Sequence, residues 1–514
     1  MRARLNDGKP NYGGQAPKTR IRFNTGTLLD IPSGEYVRGK HGEMILNGGI
    51  PNTVGIVARP NQFKTTLLSD QISKTHYYYG GNITLYDSDA SQQTNRFNHL
   101  YEQTTGVEID LIESGELQLI DNTVVQGEEF HQITRGEIKR IALNKDNKFA
   151  TPFINYDGSF IQVKMPQFVA IDTMTSLPID AIAEKQDKHQ AGDSKRNTED
   201  MSKGKVKSQI ISEMPALANA YGAKFIMTAQ LRDIIQIDPN SPPKKKLSTL
   251  RADLNIAGVP PVFYEQTNQL WCIISTTPLL NDDGTPDYPS QKMGMSLGKN
   301  KKTAKDRDLT EIEISALRGK GGMSGIPIYL VGTQTDGFNH PLSRWHYLRH
   351  YNDETTKKPY GTEGTNTGWY LSIYPDKKFT RITVNDILAE DTKLCRALEI
   401  TSDIHQILYS MRAFPRELIC DPKTLYEDIK ALGYNWDKIL EETRGVWLFG
   451  DGDLKTMSPD AKWPLTTADL LNIRAGHYVP YWLKEAKWTT PKTVEKPIEL
   501  NKTDDTFIPG EDPK

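Results

Sequence analysis

Cysteine is scarce in this chain, with three thiols (Cys272, Cys395 and Cys420) among 514 residues. Their wide spacing supports neither a disulfide framework nor a cysteine-based zinc site. Long apolar runs are missing as well: no stretch approaches the ~20 consecutive apolar residues of a membrane-crossing helix, so no membrane association is expected. The opening MRARLNDGKPNYGG lacks the apolar core of a secretory signal. Both absences predict an intracellular, cytoplasmic protein. Net charge is small too, −2 from 63 basic against 65 acidic side chains, so bulk charge argues neither for nor against a polyanionic partner. No internal repeat is evident, which sets aside solenoids and propellers.

What is present is length. A chain of 514 residues exceeds the size at which one core stops growing, so two domains, or one large domain with extensions, are expected. The stretch that organises it is VGIVARPNQFKTT, Val54 to Thr66. Val54, Ile56 and Val57 read as a buried central strand. A turn, Arg59, Pro60, Asn61, Gln62 and Phe63, then delivers Lys64, Thr65 and Thr66 to a helix N-terminus, where backbone N–H groups and the helix dipole favour an anion. In that geometry the loop cradles the phosphates of ATP, Lys64 reaches the β and γ phosphates, and the Thr65 hydroxyl ligates Mg²⁺. The usual motif has glycine where this chain has Ala58 and Phe63. The competing reading is an ordinary strand, turn and helix with a chance KTT.

Further strands close on chemical residues. NITLY (82–86) leads to Asp89, QFVAID (167–172) ends on Asp172, and AKFIMTAQ (223–230) ends on Gln230. Carboxylates at the C-terminal ends of parallel strands face the crevice where α/β sheets bind ligands. Phosphoryl transfer needs a phosphate lysine, a hydroxyl and a carboxylate for Mg²⁺, and a group that orients the attacking water. Asp172 fits the metal role, Asp89 the water-polarising role and Gln230 the sensing of the γ phosphate. Other expected elements are helices at about 97–103, 128–143 and 206–221, a strand near 117–120, a hairpin over 145–165, and strands at 270–276, 311–317 and 326–332. The predicted class is therefore α/β, a P-loop ATPase core with a mostly parallel sheet.

The organisation expected from composition is a flexible arm over 1–21, the ATPase core over 22–350, a linker over 351–379, a mainly helical region over 380–490 and a disordered tail over 491–514. Trp436, Trp447, Trp463, Trp482 and Trp488 are available to build a core in the helical region.

Taken in order, these segments resemble the RecA-type recombinases, in particular the phage UvsX branch, over about residues 22–345. FNTGTLLD and GGIP are similar to the approach to the phosphate loop, and QFKT is similar to the SFKS-like loop of that branch. YDSDAS resembles the strand bearing the catalytic carboxylate, with Asp89 where the family usually has Glu. VAIDTMTSL resembles the Mg²⁺ strand, IMTAQ the sensor strand, and RGKGGMSGIPIYLVGTQTDGFN the segment whose two basic residues act on a neighbouring subunit's ATP. By position those are Arg318 and Lys320.

The resemblance implies a RecA-like core that hydrolyses ATP with Mg²⁺ and assembles as a homo-oligomeric helical filament on single-stranded DNA, which it pairs with homologous duplex DNA. It implies DNA-binding loops at about 178–207, with Lys203, Lys205 and Lys207, and at 231–259, with Lys244, Lys245, Lys246 and Arg251. Lysine contacts to phosphate give sequence-independent affinity. An infected bacterial cell is the implied setting. Two alternatives remain at this point. A hexameric DnaB-type helicase shares the strand order, and ARPNQFKTT resembles its loop. A non-hydrolysing RecA-fold scaffold would explain Ala58, Phe63 and Asp89 as decay.

Overall fold

A computed structural model describes residues 20–89, 94–121, 125–144, 147–155, 157–179, 196–234, 247, 249–282, 284–290, 309–319, 324–352, 357–365 and 368–488, the side chains of 94 and 196–203 excepted. Its centre is a ten-stranded sheet, and the side-by-side order is β14-β13-β12-β11-β3-β9-β8-β4-β5, with β10 on the free length of β9. The parallel part comprises β3 (Thr53–Ala58), β4 (Asn82–Asp87), β5 (Leu117–Asp121), β8 (Gln167–Asp172), β9 (Ala223–Asp233) and β11 (Gln269–Pro278). Antiparallel to these run β10 (Leu254–Ile256), β12 (Thr310–Gly319) and β14 (Gly337–Phe338), whereas β13 (Pro327–Thr333), antiparallel to both β12 and β14, runs in the same direction as the parallel strands. Outside the sheet lie two hairpins, β1 (Glu35–Arg38) with β2 (Met44–Asn47) and β6 (Lys148–Ile154) with β7 (Phe160–Lys164). The class is α/β with a mostly parallel central sheet.

Every residue of β3 and of β8 is buried, as a strand covered on both faces requires. Alternate residues feed two different cores. Ile56, Phe168 and Ala170 meet the face covered by α2 (Lys64–Tyr79), with Leu67, Leu68 and Ile72. Val57, Val169 and Ile171 meet the opposite face, covered by α5 (Arg196–Tyr221), with Ile210, Ile211 and Met214. Two helices complete the layers, α3 (Thr94–Thr105) beside α2 and α4 (Gly127–Ala142) beside α5. A four-residue helix, α1 (Asp30–Ser33), precedes β1, and α6 (Val262–Gln266) precedes β11.

The first of these cores does not stop at residue 350. It runs on through α7 (His340–His350) into Leu371, Phe379, Leu398, Ile404, Leu471 and Trp482. The stretch 351–379, expected from its polar texture as a linker, carries an antiparallel sheet of β15 (Thr362–Thr365), β16 (Gly368–Leu371) and β17 (Tyr374–Phe379). The expectation fails because the apolar residues that anchor it, Leu371 and Phe379, are sparse along the chain yet fully buried. Beyond it lie α8 (Val384–Leu388), α9 (Thr392–Ser410), α10 (Pro422–Ala431), α11 (Trp436–Glu442) and α12 (Thr467–Arg474), with two-residue strands β18 (Thr443–Arg444) and β19 (Trp463–Pro464). This region clasps the segment before β3, where Gln406 donates to Leu28 O at 2.8 Å and the Met44 N–H to Asp469 Oδ1 at 2.6 Å, and the end of α2, where Tyr79 donates to Trp447 O at 2.7 Å. Among the described residues no helix is long and apolar enough to cross a membrane. Of the expected arm over 1–21, residues 1–19 lie outside the described residues, while Arg20 is exposed and Ile21 is buried; the expected tail over 491–514 also lies outside them.

Candidate functional site

The register of the parallel strands decides what meets at their C-terminal ends. Ala58 stands level with Gln230, and Asp87 level with Asp172. Between β3 and β8 lies β9, so the loop after β3 and the carboxylate that ends β8 open towards a shared space one strand wide.

In the loop, Asn61 (φ +58°) and Phe63 (φ +51°) both adopt the left-handed conformation that normally favours glycine. Phe63 is held there by packing: it is 5% exposed, and its ring sits 6.0 Å from that of Phe338. The backbone therefore makes the bend that the usual motif assigns to glycine. Phe63 is also the residue before α2, and no side chain caps the helix there. The first-turn N–H groups, including those of Lys64, Thr65 and Thr66, thus point out of the helix without intrahelical partners. Arg59, Pro60 and Asn61 are exposed and Gln62 is half-buried. The loop is braced by Gln62 Oε1, which accepts from the Arg59 N–H at 3.2 Å, and by a paired contact of Arg59 with Asp233 at 2.7 and 3.0 Å.

Lys64 Nζ lies 3.1 Å from Arg59 O. Burial pushes its pKa down, and Asp172 and Asp89 partly offset that by attraction. Their pull places both carboxylates within electrostatic reach of the ammonium. Thr65 donates to Asp172 Oδ2 at 2.5 Å, and Thr228 donates to Asp172 Oδ1. Asp172 is 4% exposed, so both its oxygens are oriented by neighbouring hydroxyls in a dry setting. A hydroxyl and a carboxylate in contact form a hard oxygen donor set, the kind Mg²⁺ selects. Ser176 donates to Asp89 Oδ1, and the Asp89 N–H donates to Asp87 Oδ1 at 3.2 Å. The Ser88 hydroxyl donates to Thr173 O at 2.7 Å, and the Ser88 N–H to Asp172 O at 2.7 Å, so the ends of β4 and β8 are tied together. Gln230 is set by its own N–H, which donates to Thr175 Oγ1 at 2.9 Å.

The structure brings together Lys64, Thr65, Asp89, Asp172 and Gln230. It does not bring Arg318 to them. Arg318 pairs with Leu270, which is level with Gly55, so it lies about 10 Å back along the strands from Ala58. There its guanidinium donates to Tyr264 O. Lys320 lies outside the described residues.

Of the seven residues expected to bind DNA, Lys244, Lys245 and Lys246 also lie outside the described residues, as does the side chain of Lys203. Lys205 is exposed on α5. Lys207 departs from expectation: it is buried, and its Nζ donates to Met174 O at 2.7 Å, Gly258 O at 3.1 Å and Thr175 O at 3.3 Å. The KGKVK run reads as one charged cluster, but α5 begins at Arg196, not near 206, and its winding turns Lys205 and Lys207 to different faces. Arg251 is exposed and paired with Asp253 Oδ2 at 2.5 Å.

Three site residues escaped the sequence reading, namely Thr228, Ser176 and Thr175. Thr228 had a signal, since it stands two places before Gln230 on β9 and so shares its face. Ser176 and Thr175 follow the strand irregularly and carry no periodic mark. Set against known proteins, this chain is matched by no family model and by no curated protein.

Proposed function

We propose that the chain is a Mg²⁺-dependent ATPase of the RecA type that assembles on single-stranded DNA and drives homologous pairing and strand exchange. The observation that carries the ATPase reading is the convergence of Lys64, Thr65, Asp172, Asp89 and Gln230 at the C-terminal ends of β3, β8, β4 and β9, beside an uncapped helix N-terminus. The residues fit the roles the chemistry needs. The loop N–H groups and Lys64 bind and neutralise the β and γ phosphates. Thr65 and Asp172 hold Mg²⁺, which supplies charge to the developing oxyanions. Asp89, fixed by Ser176, accepts a hydrogen bond from the attacking water and aligns it with the γ phosphorus. Gln230, at the root of the chain 231–259, contacts the γ phosphate and passes its presence to that segment.

The recombinase reading rests on less: the order of motifs and the attachment of both basic segments to the site's own strands, one after β8 and one after β9. Arg318, held away from the site of its own chain, suits a role on a neighbouring copy's nucleotide. The test is ATP turnover by the purified chain with and without single-stranded DNA, coupled to imaging with a slowly hydrolysed ATP analogue. DNA-stimulated turnover that Lys64→Ala abolishes, together with helical filaments on DNA, is the expected result. Closed six-membered rings would transfer the reading to a helicase, and absence of turnover to a scaffold. Changing Lys244, Lys245 and Lys246 together to alanine should weaken DNA binding and flatten its salt dependence.

A further inference from the structure

Away from the phosphate loop, β12 and α7 bring three ligand-bearing side chains to one point. Glu311 Oε2 lies 2.6 Å from His346 Nε2 and 2.7 Å from His350 Nε2, and the two imidazole nitrogens are 3.3 Å apart. The histidines stand four residues apart on one face of α7, while Glu311 reaches them from β12. Among the described residues, this is the one group of three or more His, Cys, Asp or Glu side chains whose ligand atoms all lie within 4.8 Å of one another.

The arrangement is awkward without a cation. Two imidazole edges converge on a single carboxylate oxygen, and an N–H on each would crowd its neighbour across the 3.3 Å gap. Three donors placed tetrahedrally around an ion at ~2.0–2.1 Å stand about 3.3 Å apart. The spacing of the two histidines already meets that, and the carboxylate need withdraw by only about 0.6 Å.

The surroundings hold the rings as metal-ligating histidines are held. The Tyr288 hydroxyl lies 2.8 Å from His346 Nδ1 and accepts from Arg349, which is itself anchored on Asp287 at 3.0 Å. That contact fixes the His346 ring with Nε2 facing Glu311. The His350 ring stacks on Tyr329, with centroids 3.8 Å apart and planes 9° from parallel. His346 is buried, whereas the His350 side chain is 32% exposed, so the cluster is closed on one side and open to solvent on the other.

We propose that Glu311, His346 and His350 form a binding site for a divalent first-row transition metal, Zn²⁺ by preference, with a fourth position open beside His350. Two imidazoles and a carboxylate suit such an ion, whereas Mg²⁺ prefers the all-oxygen pair at Thr65 and Asp172. The bound ion would pin α7 to the start of β12. The site stands independently of the nucleotide reading.

The test uses the full chain, stripped by a chelator and titrated with Co²⁺ as a spectroscopic stand-in, then with Zn²⁺ in competition, without nucleotide. One equivalent should bind, with the visible absorption of a tetrahedral or five-coordinate nitrogen–oxygen site, and Zn²⁺ should erase it. His350→Ala, at an exposed position, and Glu311→Gln should each weaken binding by about 100-fold or more, beyond the loss seen for supporting residues. Absence of stoichiometric binding overturns the proposal, as does binding that both variants leave unchanged.

Discussion

Phe63 sets two local effects against each other. Its left-handed backbone costs about 1–2 kcal/mol relative to glycine, yet its ring is 5% exposed against Phe338, and deleting a buried phenylalanine side chain costs about 3–5 kcal/mol. The packing term is larger. Phe63→Gly, although it restores the usual motif residue, should therefore destabilise the protein by about 2 kcal/mol. The midpoint of urea unfolding at unchanged slope reports this, and a midpoint that rises would show the strain to dominate. A second residue, Thr228, donates to one oxygen of Asp172. Thr228→Val keeps the shape and removes the donor, leaving that carboxylate free to turn from Thr65. ATP turnover should fall about 10- to 100-fold, with the Mg²⁺ concentration needed for half-maximal rate rising. Unchanged Mg²⁺ dependence would assign the hydroxyl to folding alone.

At the scale of elements, α5 separates two lysines that the sequence groups together. Lys205→Ala should leave the melting temperature in place and reduce the slope of log affinity against log salt by about 0.7 for single-stranded DNA. Lys207→Ala should do the opposite, because three carbonyls lose their donor while the salt slope stays fixed. If Lys207→Ala alone flattens the slope, the helix presents its other face to DNA. The strands that build the site were legible because each is a continuous apolar run closing on a polar residue: β3 before the loop, β8 on Asp172, and β9 through Gln230. Burial on both faces forces that pattern, and parallel register then gathers the ends. The strands β15 to β17 were not legible. TEGT and YPDKKF are polar, and they hold as strands through pairing with GWYL and the burial of Leu371 and Phe379. Nor was the cluster of Glu311 with His346 and His350, since it joins residues 35 and 39 positions apart. Contacts of that range carry no local period.

The described residues are knit through their early segment, which lies between the sheet and the helices beyond residue 380. Phe23 contacts the rings of Tyr79 and Trp447, and Arg344 joins α7 to α9 through a buried ion pair with Asp403 at 3.0 Å. At the bottom of the sheet this packing traps Lys224. Its Nζ donates to Asn52 Oδ1 at 2.9 Å and to Ile21 O at 3.3 Å, and lies 4.9 Å from the centre of the Phe23 ring. Burial, with a smaller push from Arg22, lowers its pKa to about 7. In the unfolded chain a lysine titrates near ~10.4. Between about pH 7 and 10.4 the unfolded state therefore holds more protons than the folded one, and folding stability rises with pH across that window. Below it, the desolvation cost is present in full. Lys224→Met keeps the apolar stem and removes the charge, so the variant should melt at a higher temperature than the parent at pH 7, with the gap narrowing as the pH approaches 10. Melting curves of the two proteins that run parallel from pH 7 to 10 would mean that Lys224 stays charged in the fold, its cost met by Asn52, Ile21 and the Phe23 ring.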